Sequence, residues 1–244
     1  MTAPAPQVLV LPLADETKFN EIYSGLYSAI SGLYLTVRKT TVDDAYSFLL
    51  SHGPSAVLVD GGLASTQHQH LQKQLARYAK AGGTVIFGCM FYSLTDSFAL
   101  KDLFETFDLD WALGDYGRAE FSLNAALRPI FGAQVFARLE QTYDMKCLQL
   151  LYAPLFGRVY VPTGRSRSAS LLYAASGIDR GESPAVFTRY GQGFLGYVGD
   201  FANEEGSQAL TMAMLGTPFL PFSPLESMLT QKQRLPPNTF PASW

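Results

Sequence analysis

One segment of the chain combines a buried strand with a candidate nucleophile. Thr84–Phe87 is a run of β-branched and aromatic residues, which favours a central strand, and Gly88 permits a tight turn directly before Cys89. A strand-to-helix turn is a known way to expose a reactive side-chain atom. A thiol at the start of a helix has a lowered pKa, so Cys89 could react without a histidine. The alternative is a small buried side chain that fills space beside Met90.

The chain does not offer the histidine that usually accompanies such a nucleophile. Its three histidines are His52, His68 and His70, so no histidine follows Cys89 in the sequence. His68 and His70 could suggest a metal pair, but side chains two positions apart on a helix point to different faces. A zinc site would also need a third ligand and usually i,i+4 spacing. We therefore expect surface histidines and no metal.

An acidic cluster opens the last predicted helix. Its members are Asp200, Asn203, Glu204 and Glu205. Asp200 and Glu204 are candidate catalytic residues, since carboxylates there could act as acid or base or hold a divalent cation. Glu204 or Asp60 could also serve as the base for Cys89. The alternative is helix capping, with Asp200 or Asn203 as the N-cap and the glutamates favoured by the helix dipole.

Other polar side chains are expected to bind substrate, and those that follow predicted strands are expected at one rim of the sheet. They are Asp15, Asp60, Tyr92, Ser93, Tyr116 and Arg118. Open parallel sheets bind ligands outside the carboxyl ends of their strands, where successive loops meet. Arg118, beside Tyr116 in the turn-forming segment 114–118, could hold a carboxylate or an enolate by a bidentate contact. The alternative for this segment is a turn with an exposed arginine.

Hydrophobic periodicity predicts the scaffold that positions these residues. Apolar or alternating runs indicate strands at 7–13, 33–38, 55–59 and 84–87, and amphipathic patterns indicate helices at 15–32, 42–50, 65–80 and 97–107. This alternation predicts an α/β, flavodoxin-like fold, with a mainly parallel sheet, helices on both faces and right-handed crossovers.

The pattern changes after residue 107. Extended pieces at 111–113, 120–124, 146–152, 158–161 and 169–174 predict a β-rich elaboration of the same domain. A hairpin of 184–188 and 194–198 then returns a strand to the sheet, and 203–215 forms a final helix. Residues 217–244 contain six prolines and are predicted to be a Pro-rich tail that follows a domain of residues 1–216.

The amino-acid composition limits the classes of function that the chain can have. With 48% hydrophobic and 16% charged residues the chain can bury an ample core, and its net charge of −3 argues against nucleic-acid binding. Two distant cysteines fit a reducing compartment, and neither a signal peptide nor a span of about 20 apolar residues is visible. We expect a cytoplasmic protein with a small-molecule substrate, no membrane or nucleic-acid partner and no cofactor. A homodimer is left open.

Three features together resemble the class I glutamine amidotransferase-like superfamily, and more closely its trehalose-utilisation (ThuA-like) branch. They are the strand–helix alternation, the helix-to-strand join YAKAGGTVIFG at 78–88, and the hairpin FTRYGQGFLGYVGD at 187–200. The resemblance spans residues 7–215 and implies the superfamily fold. Its amidotransferases pair a cysteine at the strand turn with a late His-x-Glu. Cys89 lies near that turn without the Gly-x-Cys-x-Gly spacing, and 199–205 contains no histidine. The resemblance therefore implies the fold without glutamine hydrolysis.

The expected function is that of a small-molecule enzyme on this fold. Its chemistry would be acid–base or thiol-assisted, as a hydrolase, isomerase or lyase acting on a carbonyl-containing metabolite. Asp200 or Glu204 would move a proton, Cys89 would be the nucleophile or oxyanion-turn residue, and Arg118 would hold substrate charge. The rival is a non-catalytic ligand-binding or assembly module on the same scaffold, which a rim plugged by aromatic side chains around Phe91 would favour.

Overall fold

The computed structural model describes residues 6–91, 97–164, 166–168, 176–177, 181–200 and 202–216. The strands are β1 (Gln7–Pro12), β2 (Leu35–Arg38), β3 (Ala56–Asp60), β4 (Thr84–Phe87), β5 (Ala112–Leu123), β6 (Thr142–Leu151), β7 (Tyr160–Pro162), β8 (Arg167–Ser168), β9 (Ser176–Gly177), β10 (Ala185–Tyr190) and β11 (Gly193–Val198). The α-helices are α1 (Glu16–Ser31), α2 (Val42–Ser51), α3 (Gln69–Lys80), α4 (Ser97–Thr106), α5 (Arg128–Phe131), α6 (Ala133–Phe136) and α7 (Glu205–Gly216).

A six-stranded sheet in the order β10-β11-β4-β3-β1-β2 forms the centre of the fold. All neighbours pair in parallel except β10, which forms an antiparallel hairpin with β11. β11 pairs with β4 and places the late hairpin beside the central strands. The flavodoxin-like α/β fold predicted from the sequence is confirmed.

Helices cover both faces of this sheet because its strands are apolar on both sides. Val8 and Val10 of β1 belong to the core that includes the buried side chains of α1 and α7. Leu9 and Leu11 belong to the core that includes buried side chains of α2, α3 and α4. Consecutive strand residues point to opposite faces, so a fully apolar run is what a sheet between two helical layers requires.

The predicted β-rich elaboration is a separate antiparallel sheet in the order β6-β5-β7. The sequence predicted a turn at 114–118, and this prediction is wrong because the segment lies inside the single strand β5. The β5–β6 register shifts between Leu113 and Tyr116. Gly114 lies at this irregularity, where an added Cβ would be 2.6 Å from Oε1 of Glu182. Glycine in a strand often marks such a bulge or close approach, and the same residue also signals a turn.

Several predictions fall where the structure makes no statement. Tyr92 and Ser93, the extended piece at 169–174 and the tail at 217–244 lie outside the described residues. The short helices α5 and α6 had no counterpart in the sequence interpretation. Within the described part of the chain, the helices are too short or too polar to cross a membrane.

Candidate functional site

Three central strands bring polar side chains to one edge of the sheet. β3 ends at Asp60, β4 is followed by Gly88 and Cys89, and β11 is followed two residues later by Asp200. Because β3, β4 and β11 are adjacent and parallel, their carboxyl ends meet there. The residues are buried, with relative exposures of 0% for Asp60, 6% for Cys89 and 2% for Asp200.

Asp60 has one oxygen in a hydrogen bond and one without a partner. Oδ1 accepts the backbone N–H of Met90 at 2.7 Å, which fixes the turn after β4. Oδ2 is buried and has no hydrogen-bond partner among the described residues. Burial raises the pKa of Asp60 to about 6, since it disfavours the charged form. The Met90 bond opposes this rise, Asp15 adds to it and Arg38 opposes it.

Cys89 occupies a strained turn. Its φ of 58° lies in the left-handed region, which a residue with a Cβ adopts at a cost. Burial raises the pKa of the Cys89 thiol well above its usual range, and the carboxylates of Asp60 and Asp200 raise it further. The expected lowering of this pKa is therefore wrong, because the neighbouring charges are negative and the thiol is desolvated. The resting side chain is a neutral thiol.

Asp200 organises the loop that leads into α7. Its Oδ1 accepts the N–H of Ala202 at 2.7 Å, and its Oδ2 accepts the N–H of Glu204 at 3.3 Å. β6 holds this segment from the other side, because Leu148 N–H donates to the carbonyl of Gly199 at 3.1 Å. Burial raises the pKa of Asp200. Asp200 is not the N-cap of α7, because the helix begins at Glu205 and both of these N–H groups lie before it, so the carboxylate holds the preceding loop. Its charge also raises the pKa of Cys89.

Glu204 and Arg118 meet at the entrance to α7. Arg118 donates through Nη2 to Glu204 Oε1, and its Nη1 lies 3.5 Å from Oδ1 of Asp144. The hydroxyl of Tyr143 donates to Glu204 Oε2 at 3.2 Å. The side chains of Arg118 and Glu204 are 40% and 27% exposed. Two carboxylates already neutralise the guanidinium that was expected to hold substrate charge.

The remaining predicted residues lie further from the buried centre or cap a helix. Asp15 is the N-cap of α1 and accepts the N–H of Lys18 at 3.0 Å. Its charge reaches Asp60, whose pKa it raises. Tyr116 is 48% exposed on β5, with Nζ of Lys146 5.8 Å from its ring centroid. The structure therefore places Asp15 near Asp60, and it shows Tyr116 as a surface residue.

Two residues near Asp60 were not anticipated. Tyr23 of α1 is buried, and this burial is the main cause of its raised pKa. The charges of Cys89, Asp60 and Asp200 raise the pKa further, so the hydroxyl stays protonated. Arg38 ends β2, and its positive charge lowers the pKa of Asp60. The position of Arg38 at the end of a predicted strand was a usable signal. Tyr23 gave none, because it falls on the apolar face of its helix.

The histidines have other roles. Nδ1 of His68 is 2.8 Å from the carbonyl of Gly62, whereas Nε2 of His70 is 3.4 Å from Oδ1 of Asp43. They therefore point to different neighbours, as their spacing indicated. In the described part of the chain, His, Cys, Asp and Glu form no group of three that could hold a metal ion.

Solved structures share this architecture. A ThuA-like protein from Bacteroides uniformis ATCC 8492 matches with a TM-score of 0.53 and 11% identity over 88% of this chain and 91% of its own. A ThuA-like protein from Parabacteroides merdae ATCC 43184 matches with a TM-score of 0.50 and 12% identity over 87% and 89%. This chain has a ThuA-like fold. The resemblance to the class I glutamine amidotransferase-like superfamily is thus confirmed at the level of the fold.

The ThuA-like fold does not by itself assign an activity. No protein-family model matches the sequence, and no curated protein matches it. A polyextremophilic β-galactosidase from the Antarctic haloarchaeon Halorubrum lacusprofundi matches with a TM-score of 0.48 and 18% identity over 87% of this chain and 30% of the enzyme. A likeness at that level carries no functional argument. The function of this chain has to be argued from its own site.

Proposed function

We propose that the chain is a small-molecule enzyme that moves a proton on a carbonyl-containing metabolite, as a hydrolase, isomerase or lyase. The observation that carries the proposal is Oδ2 of Asp60, a buried oxygen at the carboxyl edge of the sheet without a partner among the described residues. A group with a pKa of about 6 exists in both protonation states near neutral pH. This is the condition for efficient general acid or base catalysis.

The contacts favour Asp60 over the other carboxylates as the proton carrier. Both oxygens of Asp200 accept backbone N–H groups, so a proton there would weaken the loop that they hold. Both oxygens of Glu204 are engaged by Arg118 and Tyr143. Asp60 retains an oxygen without a partner among the described residues, so a proton bound there breaks no hydrogen bond within that part of the protein.

The neighbours of Asp60 have supporting roles in this proposal. Tyr23 stays protonated and would donate a hydrogen bond to the oxygen on which negative charge develops. Cys89, as a neutral thiol, would contact the substrate or donate weakly, because Asp60 is too weak a base to deprotonate it in the resting state. Asp200 would position the loop beside Cys89.

Isotope exchange tests this proposal across a range of carbonyl substrates at once. A mixture of small carbonyl compounds is incubated with the protein in D₂O, and mass spectrometry detects deuterium incorporation or conversion. We expect Asp60→Asn to lower the rate by about 10²–10⁴-fold, the usual contribution of a general acid or base. Asp43→Asn is the matched control, because Asp43 is 94% exposed on α2. Full activity in Asp60→Asn would contradict the proposal.

A non-catalytic ligand-binding or assembly module is the second candidate. It is favoured by the burial of Asp60, Cys89 and Asp200, of which none is more than 6% exposed. Phe91 is also buried, with its ring 4.8 Å from that of Phe87. In this case the Asp60–Met90 bond serves only to hold the turn. The same exchange experiment would then detect no conversion by the wild-type protein.

A further inference from the structure

Arg38, at the end of β2, carries two buried donor groups on one edge of its guanidinium. Nε and Nη2 are buried and have no hydrogen-bond partner among the described residues, whereas Nη1 donates to Oδ1 of Asn20 at 2.7 Å. Nε and Nη2 lie side by side in the guanidinium plane, and their parallel N–H groups match the two oxygens of a carboxylate. Because an unsatisfied buried donor is costly, this pair indicates a binding site for an anion.

Helix α1 holds the guanidinium in place. Cζ of Arg38 lies 5.2 Å from the ring centroid of Phe19 and 5.5 Å from that of Tyr27, and Asn20 accepts from Nη1. The side chain of Arg38 is 19% exposed, so it is already ordered and largely out of water. An anion that binds here therefore pays little for ordering the group, and its attraction to the charge is stronger than in water.

The register of the sheet places Arg38 on the same face as Asp60. Arg38 pairs with Val10, and Val10 pairs with Leu58, two residues before Asp60. Val10 and Leu58 belong to the core that includes α1, and side chains alternate along a strand, so Arg38 and Asp60 both face α1. Strand spacing and rise put their Cα atoms about 12 Å apart. The charge of Arg38 acts across this gap, since it lowers the pKa of Asp60.

The two groups are complementary and together define a ligand. Arg38 offers a pair of donors, and Asp60 offers Oδ2, a buried oxygen without a partner among the described residues. A molecule with a carboxylate at one end and a carbonyl group near the other would engage both. The side chains extend into the gap from both sides, so a chain of about three or four carbons is long enough to connect them.

A carboxylate of the protein already lies beside Arg38. Oε1 of Glu16 is 3.3 Å from Nη2, an ion pair that leaves Nη2 without a hydrogen bond. The side chain of Glu16 is 52% exposed, and an exposed ion pair of this kind contributes little stability. Glu16 can therefore turn towards solvent when a second carboxylate forms both hydrogen bonds with Nε and Nη2.

We propose that the ligand of the candidate site is a short oxo acid, whose carboxylate binds Nε and Nη2 of Arg38 and whose carbonyl end lies beside Asp60. This substrate class rests on the proposed function, in which Asp60 moves the proton. Asp60 removes a proton from the carbon next to the carbonyl, the electron pair of that C–H bond forms the C=C bond of an enolate, and the carbonyl oxygen takes the negative charge. Tyr23 stabilises this oxygen by a hydrogen bond.

A ligand-observed NMR titration measures the binding without any turnover. The probes are pyruvate, 2-oxobutyrate and acetoacetate at low salt, each compared with its uncharged amide. We expect the acids to bind at least about tenfold more tightly than the amides. Arg38→Gln should weaken the binding of the acids by about 10- to 100-fold, the usual effect of losing hydrogen bonds to a charged group.

Arg189→Gln is the matched control for Arg38→Gln. Arg189 is an exposed arginine with its Cζ 5.3 Å from the ring centroid of Phe194, so the two variants lose the same charge beside an aromatic ring. Arg189 lies on β10, at the opposite end of the sheet from β2. The affinity for the acids should be unchanged in this control.

Glu16→Gln should change the affinity in the opposite direction. The variant removes the carboxylate that competes for Arg38, so the oxo acids should bind several-fold more tightly. A purely structural ion pair would give no such gain. Because Glu16 is exposed, this variant tests the proposal even where Arg38→Gln fails to fold. Urea denaturation of each variant establishes that the fold is intact.

The possible results separate the ligand from the reaction. Equal binding of acids and amides, full affinity in Arg38→Gln or an unchanged affinity in Glu16→Gln would overturn the oxo acid as ligand. Deuterium exchange of the bound acids in D₂O then tests the reaction. Binding through Arg38 without exchange would contradict the proposed function and leave the oxo acid as the ligand of a binding module. Exchange of uncharged carbonyl compounds without binding through Arg38 would overturn the oxo acid alone.

Discussion

The two carboxylate oxygens of Asp60 have opposite effects on the stability of the folded protein. One accepts the Met90 N–H, whereas the other is buried without a partner among the described residues. Because burial raises the pKa from 3.8 to about 6, the folded state binds a proton more tightly than the unfolded state. The free-energy cost of burying the charged Asp60 carboxylate is absent below about pH 4. It grows between about pH 4 and pH 6 and is complete above about pH 6.

Asp60→Asn should therefore stabilise the protein at neutral pH. The side chain keeps an oxygen for the Met90 N–H and removes the buried charge. We expect a gain of up to about 3 kcal/mol at pH 7 over the wild-type protein, from about two pKa units at 1.36 kcal/mol each. The gain should vanish near pH 4. Urea denaturation at a series of pH values measures it, with Asp43→Asn as the control. A difference that is constant with pH would show that Asp60 is not perturbed.

Cys89 is the residue at which backbone strain can be measured. At a φ of 58° a glycine is unstrained, whereas an alanine keeps the Cβ clash. Both substitutions remove the thiol, so their difference isolates the backbone. We expect Cys89→Gly to be more stable than Cys89→Ala by about 1 kcal/mol, the reverse of the usual order. Equilibrium unfolding of the two variants checks this, and the usual order would mean that the turn is relaxed.

At the scale of elements, the loop before α7 depends on Asp200. Its carboxylate accepts the N–H groups of Ala202 and Glu204, which lie in the loop before the helix. Asp200→Ala should cost about 0.5–2 kcal/mol of stability, the range for loss of a helix cap, which also removes a side-chain acceptor of backbone N–H groups. Asp200→Asn, which keeps one acceptor oxygen, should cost less. Thermal denaturation of both variants distinguishes a structural role in this loop from a role that acts only in turnover.

The elements differ in how far the sequence predicts them. The strands β1, β3 and β4 are apolar on both faces, and that pattern depends only on burial between helical layers. β5 was divided into two pieces because Gly114 and Asp115 signal a turn locally. The structure keeps them within one strand that pairs with β6 on both sides, and the Asp115 N–H donates to Oε1 of Glu182 at 3.1 Å, a residue 67 positions later. Local patterns contain no information on such a contact.

For the whole molecule, topology brings the site together and the charges then decide its chemistry. The adjacency of β3, β4 and β11 follows from a parallel alternation and was predictable. The direction of the Cys89 pKa was not, because it depends first on burial of the thiol and then on two carboxylates that become its neighbours only in the folded chain. The same holds for Arg118, whose partners Glu204 and Asp144 lie on other elements. The sequence therefore predicted where the candidate site lies better than it predicted the chemical role of each residue there.

The whole chain also makes a prediction about glutamine hydrolysis. Glutamine hydrolysis needs a thiolate and a base, but here burial and two carboxylates keep the Cys89 thiol protonated. No histidine follows His70, and His68 and His70 contact Gly62 and Asp43. We expect no ammonia release from glutamine above the rate of a Cys89→Ala variant. A coupled assay for ammonia measures this. Release by the wild-type protein that Cys89→Ala abolishes would show that the site activates its thiol by a route absent from this arrangement of charges.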